Sequence, residues 1–254
     1  MSLVRVQFFA GSLACAVFGA GCAAQRPAPD LGGIYNQAAR HHDAQRNPVI
    51  LIPGVLGSKL TEARTGRVVW GAFAGDYANP QTPAGARVAA LPMREGSPLS
   101  ELRNNVVPNG VLDRLKVKLL GLPLEQKAYV NILRVLGIGG YRDEQLGLAG
   151  AIDYGDDYFT CFQFDYDWRR DNVENAQRLH EFILQKRAYV QAEIEKRFGV
   201  ADRDVKFDII AHSMGGLVAR YYLRYGPADL PADGSVPTVV GEHVVVAREP
   251  GYTL

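Results

Sequence analysis

Ser213 is the residue around which chemistry can be built. It stands in FDIIAHSMGGLVARYYL, Phe207 to Leu223, after the apolar run Ile209-Ile210-Ala211, which is expected to enter as a buried strand, and before Leu217, Val218, Tyr221 and Tyr222 at helical spacing. Ala211 and Gly215, two residues to either side, keep the junction free of bulk, as a strand turning sharply into a helix requires. This is the layout of the nucleophile elbow G-x-S-x-G, with Ala in place of the first Gly. A serine hydroxyl is a weak nucleophile at its free pKa, so it must be held clear of its own strand where a histidine can take its proton. The same turn puts the Met214 N–H in the first turn of a helix, where unpaired amides and the helix dipole favour a developing oxyanion. The pattern also describes a tight strand-to-helix turn without catalysis, and the spacing alone leaves both readings open.

The elements that would position such a serine come earlier in the chain. In PVILIPGVLGS, Pro48 to Ser58, four aliphatic residues form a strand buried on both faces, and Pro53-Gly54 ends it. The Gly54 to Ser58 loop can bring a bare amide close to a ligand. Paired with the elbow, it reads as the second oxyanion donor, with Val55 supplying the N–H. A further core strand is expected over Tyr158 to Phe164, with Asp165-Tyr166-Asp167-Trp168-Arg169 at its carboxyl end, where ligand crevices of α/β sheets open. That group reads as structural, orienting the strand end beneath the site. Asp171 and Glu174 predict a capping box for a long helix ending near Phe198-Gly199, with Leu179, Ile183, Val190 and Ile194 as its buried stripe. His180 lies beside that stripe and reads as a partly buried structural histidine. Alternation of strand and helix is the signature of α/β architecture with a mainly parallel sheet and flanking helices.

Composition narrows the class. The 254 residues suit one large domain, and a net charge of +1 gives no electrostatic case for nucleic acid as a partner. Residues 1–24 have the layout of a secretory signal: Arg5, an apolar region, then small residues. Cys22 after Gly19-Ala20-Gly21 resembles a bacterial lipoprotein cleavage box with Gly19 where Leu is usual. Lipid attachment at Cys22 and ordinary cleavage after Ala23 or Ala24 both stay open, and both predict an exported chain, either anchored in the cell envelope or secreted. Residues 25–47, rich in Ala, Pro, Gln and Arg, read as a tether in which His41 and His42 are solvated. Beyond the leader only Cys161 remains, so no internal disulfide is expected, and its apolar neighbours make it a core residue. No Cys/His set has metal-ligand spacing, and no cofactor is called for.

The domain proper is expected over 48–254, with an insertion at about 59–155. Within it Trp70, Phe73 and Tyr77 lie among Gly, Ala and Pro, and this reads equally as a lid that buries acyl chains or as a surface loop with packed aromatics. Pro123 to Leu136 has helical spacing through Ala128, Leu133 and Leu136.

PVILIPGVLGSKL, then FDYDWRRD from Phe164 to Asp171, then AHSMGGLVARYYL resemble the lecithin:cholesterol acyltransferase family and its relatives, the lysosomal phospholipases A and the phospholipid:diacylglycerol acyltransferases. VLDRLKV and GYRDE between these blocks resemble bacterial members, and the likeness runs from about Pro48 to Tyr225. The resemblance implies an α/β-hydrolase fold with a lid or cap insertion, in which Ser213 takes an acyl group from a lipid ester and passes it to an alcohol or to water. Ser213 matches the family nucleophile, and Val55 and Met214 match its oxyanion positions. Membrane association is expected through a lipid anchor at Cys22 or through the lid.

In this fold the triad acid and histidine follow the serine on later loops. Val236 to Val246 can form the next strand, but GEHVVVAREPGYTL does not resemble the family, so neither the acid nor the base is identified. His212 is expected to face away from the Ser213 hydroxyl, and His243 lies in strand-like sequence. The expectation is therefore a C-terminally truncated lipid-directed serine acyltransferase or esterase. The alternative is a catalytically inactive fragment or lipid-binding lipoprotein.

Overall fold

The computed structural model describes residues 42–71, 78–79, 81–97, 101–102, 105–112, 114–119, 122–127, 129–150 and 152–231. The leader with Cys22, the tether as far as His41, Phe73, Tyr77, and Val236 to Val246 with His243 lie outside the described residues.

The run Val49-Ile50-Leu51-Ile52 forms β1 (Val49–Ile52), and all four side chains are buried. Alternation divides them between two faces. Ile50 and Ile52 pack with Phe164, Tyr166, Leu179 and Val218, while Leu51 packs with Tyr129, Leu133 and Cys161. Both faces can be apolar because β1 is the middle strand of a three-stranded parallel sheet. Its neighbours are β7 (Cys161–Gln163) and β8 (Asp208–Ala211), in the order β7-β1-β8. Ile52 pairs with Ala211 and Leu51 with Gln163, so the three carboxyl ends lie side by side.

The long helix α4 (Asn172–Phe198) begins where Asp171 accepts from the Val173 N–H at 2.7 Å and ends at Gly199, which takes the left-handed conformation at φ 68°. Its Leu179, Val190 and Ile194 are fully buried against the sheet. The capping box is only half made. Glu174 bonds Arg170 and Arg178, because two guanidiniums outcompete one backbone amide for its carboxylate. The final helix, α5 (Met214–Tyr225), packs beside α4, and the His180 Nδ1 lies 3.2 Å from the Tyr222 hydroxyl. The molecule thus has mixed α/β content, with a parallel three-strand sheet and flanking helices.

Segment 59–155 carries structure of its own. Strands β2 (Ser58–Glu62), β3 (Val68–Trp70) and β4 (Val106–Val111) form an antiparallel sheet, with the short helix α1 (Pro83–Ala89) beside it. A hairpin follows, β5 (Arg114–Leu119) with β6 (Leu122–Lys127), then α2 (Val130–Ile138) and α3 (Glu144–Leu148). The helix expected from Pro123 therefore starts only at Val130. Pro123 instead pairs with Lys118 inside the hairpin. The alternation of charged and apolar residues in RLKVKL has period two, and the pairing it permits overrides the helical spacing further along.

Two further expectations change. His42 packs its ring 5.3 Å from that of Tyr158, with Nε2 3.7 Å from Asp156, so the end of the tether docks on the domain. Strand β8 is only half covered, Asp208 and Ala211 being exposed, because among the described residues β1 is its sole hydrogen-bonded strand neighbour.

The Asp165 to Asp171 group joins the two sheets. Asp167, almost fully buried, holds Arg169 in a two-pronged pair at 2.8 and 2.7 Å, and Arg169 donates to the Ala89 carbonyl at the end of α1. Arg170 bonds Glu174 and the Leu102 carbonyl. Asp165 accepts from the Gly110 N–H of β4 at 2.6 Å. These charges are spent on structure.

A second buried carboxylate is less well served. Asp143 caps α3 through Leu146 and accepts from Gln163, yet its Oδ2 has no partner. Burial, outweighing those hydrogen bonds, pushes its pKa up to about 6. The folded protein then holds this proton more tightly than the unfolded chain does. The resulting stability is fully present below about pH 4 and lost as pH rises through about 6. Asp143→Asn, neutral throughout, is expected to gain about 1–3 kcal/mol relative to the parent on going from pH 4.5 to 7.5. Urea unfolding at the two pH values measures this double difference, and equal shifts in both proteins would refute it.

Candidate active site

The loop after β1 is pinned group by group. The Pro53 carbonyl accepts from the Tyr166 hydroxyl at 2.8 Å, that of Gly54 from the Gly57 N–H at 3.0 Å, and that of Leu56 from the Trp70 indole at 2.8 Å. The Gly57 carbonyl takes the Leu112 N–H at 2.8 Å and the Ser58 carbonyl takes the Trp168 indole at 3.2 Å. Trp70 and Trp168 meet edge to face at 5.8 Å. So Trp70, one of the candidate lid aromatics, is an ordered brace of this loop. The Gly54 N–H donates to the Tyr129 hydroxyl at 2.8 Å. The Val55 amide, by contrast, has no acceptor among the described residues. Val55 itself is half exposed.

Ser213 follows β8 with φ 52° and ψ −124°, a conformation that L-residues rarely adopt. It occupies the N-cap of α5, where a serine oxygen ordinarily accepts from the helix's first amides, but here no such bond is made. Its side chain is exposed, and no described residue hydrogen-bonds it. The carbonyls of His212 and Ser213 accept from the Gly215 and Gly216 amides, both at 2.9 Å, while the Met214 amide has no acceptor among the described residues. Amides without an acceptor, those of Val55 and Met214 among them, and the uncapped Ser213 hydroxyl sit on adjoining loops at the carboxyl edge of the sheet.

Small residues bring those loops together. A Cβ on Gly54 would lie 2.9 Å from that of Ser213 and 3.0 Å from His212 Nδ1. A Cβ on Gly215 would lie 2.8 Å from the Ile52 carbonyl and closer still to that of Pro53. Helix α5 thus rests directly on the end of β1.

The other candidates fall elsewhere. The His212 ring meets Tyr129, its Nδ1 3.0 Å from the phenol oxygen, and among the described residues it makes no hydrogen bond to Ser213. Cys161 is fully buried and free. Burial, with the Asp143 carboxyl beside it, pushes its thiol far above the ordinary range, which makes it inert. Among the described residues no group of three or more His, Cys, Asp or Glu could hold a metal ion, and no helix is long and apolar enough to cross a membrane. Nothing in the sequence around Tyr129 signals a partner 75 residues away.

Comparison with protein-family models, with curated proteins and with solved structures gives no match to this chain.

The packing sets a paired test. Gly215→Ala is expected to destabilise the protein by about 2 kcal/mol, whereas Gly216→Ala, with nothing within 4 Å of its new methyl, should gain up to about 1 kcal/mol. Denaturant midpoints of the two variants check this, and equal effects would contradict the close approach at Gly215. The strain at Ser213 has its own signature. Ser213→Gly should be more stable than Ser213→Ala by about 1 kcal/mol, because glycine tolerates the positive φ. Equal stability would mean that the turn relaxes in solution.

Proposed function

We propose that this chain is a lipid-directed serine acyltransferase or esterase of α/β-hydrolase type, working through an acyl-enzyme on Ser213. The observation that carries the reading is the strained, uncapped Ser213 on a loop that meets the Gly54–Val55 turn, with the Val55 and Met214 amides lacking an acceptor among the described residues. The resemblance of PVILIPGVLGSKL, FDYDWRRD and AHSMGGLVARYYL to the lecithin:cholesterol acyltransferase family supports it further.

In the reaction the Ser213 Oγ attacks the carbonyl carbon of the ester and passes its proton to a base. The carbonyl oxygen gains negative charge and takes hydrogen bonds from Val55 and Met214, each donor of this kind typically worth roughly 2.7–4 kcal/mol of barrier. The C–O bond to the leaving alcohol breaks, that alcohol takes up the proton, and the acyl group stays on Ser213. An acceptor alcohol or water then gives its own proton to the base and attacks the acyl carbon, the acyl group departs with it, and the base passes that proton to the Ser213 oxygen. The substrate class is a lipid or other acyl ester. An exported chain, held at the cell envelope through Cys22 or released after cleavage, would meet such substrates at a membrane surface.

One observation favours a second reading, a chain that binds lipid without turnover. Among the described residues neither a histidine nor a carboxylate hydrogen-bonds Ser213, and a serine without a base is not activated. A fluorophosphonate probe separates the two. Labelling of the purified protein that disappears in Ser213→Ala is the expected result. Folded protein that does not label would favour the non-catalytic reading.

A further inference from the structure

Tyr129 reaches the site from a part of the chain far from either loop. It immediately precedes α2, where its carbonyl accepts from the Leu133 N–H at 3.1 Å. Its ring is buried with Leu51, Val111, Leu133 and Cys161, on the face of the sheet opposite α4. The hydroxyl emerges at the carboxyl edge between the two loops. There it accepts from the Gly54 N–H at 2.8 Å and lies 3.0 Å from His212 Nδ1. Gly54 directly precedes Val55, and His212 stands two residues before Met214. One oxygen atom thus ties the Gly54 backbone to the His212 side chain, on the two loops that carry the Val55 and Met214 amides.

A Cβ on Gly57 would approach the phenol oxygen to 3.0 Å, so that glycine leaves room for the hydroxyl, and one on Gly54 would strike Ser213 and the His212 ring, so that glycine lets the two clamped loops meet. Burial, partly offset by the bond from Gly54, raises the phenol's pKa and keeps it a neutral hydroxyl that can serve both loops.

We propose that Tyr129 is a positioning residue of the Ser213 site: its hydroxyl clamps Gly54 to His212 and so sets where the Val55 and Met214 amides stand. The catalytic part of this inference rests on the acyl-transfer reading. The clamp itself does not.

Tyr129→Phe keeps the ring and removes the oxygen. Amide hydrogen exchange of the folded full chain should then speed at least about tenfold for Gly54, and the amide resonances of Val55 and Met214 should shift, while exchange of Ile50 and Ile52 in β1 stays as in the parent. Unchanged exchange at Gly54, or the same acceleration throughout the sheet, would overturn the clamp. Should Tyr129→Phe not fold, 3-fluorotyrosine at 129 retains the hydroxyl but weakens it as an acceptor. The Gly54 amide resonance should then move, and an unmoved resonance would count against the clamp in the same way.

Labelling of Ser213 by the fluorophosphonate tests the consequence for chemistry. At saturating probe the rate should fall about 10- to 100-fold in Tyr129→Phe, with the probe concentration at half-saturation little changed. An equal labelling rate in both proteins would overturn the positioning role. A parent that does not label at all condemns the acyl-transfer reading instead, and the exchange and resonance data then decide the clamp alone.

Discussion

The close approach of α5 to the end of β1 is the contact on which the rest depends. Gly215 lies against the Ile52 and Pro53 carbonyls, Gly54 lies against Ser213, and only backbone without Cβ fits at either place. A chain leaving β8 and entering a helix so near its neighbouring strand must reverse within a single residue. Ser213 is that residue, at φ 52°. Conformations of this kind persist only where the surroundings over-determine them. The surroundings here are the buried contacts of Val218 and Tyr222 with Ile50, Ile52 and Leu179, each such side chain stabilising the fold by about 1.5–3 kcal/mol.

Polar accounting explains why chemistry would collect at this edge. Buried backbone groups find partners almost without exception. Tyr166, Trp168, Trp70 and Leu112 supply those partners along Pro53 to Ser58, and Tyr129 supplies the Gly54 amide. The amides of Val55 and Met214 have no such partner among the described residues, and they lie on two adjoining loops, one of them carrying the hydroxyl that does not cap its own helix. The Asp167–Arg169 pair keeps the braces aligned by tying the end of β7 to α1. Burying such charges has little net stabilising value, but removing one partner would leave the other uncompensated.

Much of this was legible in the sequence because the signals are local. The strand, the small residues and the helix of the elbow lie within Phe207 to Leu223, and β1 with its Pro53-Gly54 ending is a short apolar run. The ends of α4 follow from Asp171 and Gly199. What escaped depends on pairing across the chain. The Pro123 segment has helical spacing yet pairs as a strand with Arg114–Leu119. Ile209 and Ile210 look like a buried strand, but their burial depends on neighbours that the run itself does not encode. Trp70 reads from composition as a loop aromatic and becomes a brace only because Leu56 and Trp168 come to meet it. Tyr129 carries no motif at all. Its role exists only once α2, β1 and β8 are assembled.

The most direct measurement is the structure of the phosphonylated protein formed with a fluorophosphonate. The phosphoryl oxygen on Ser213 is expected about 2.7–3.1 Å from both the Val55 and the Met214 amide nitrogens, with the Ser213 backbone still at positive φ. An adduct whose oxygen faces solvent, or a Ser213 relaxed to negative φ, would contradict the assignment of these two loops as an oxyanion cradle.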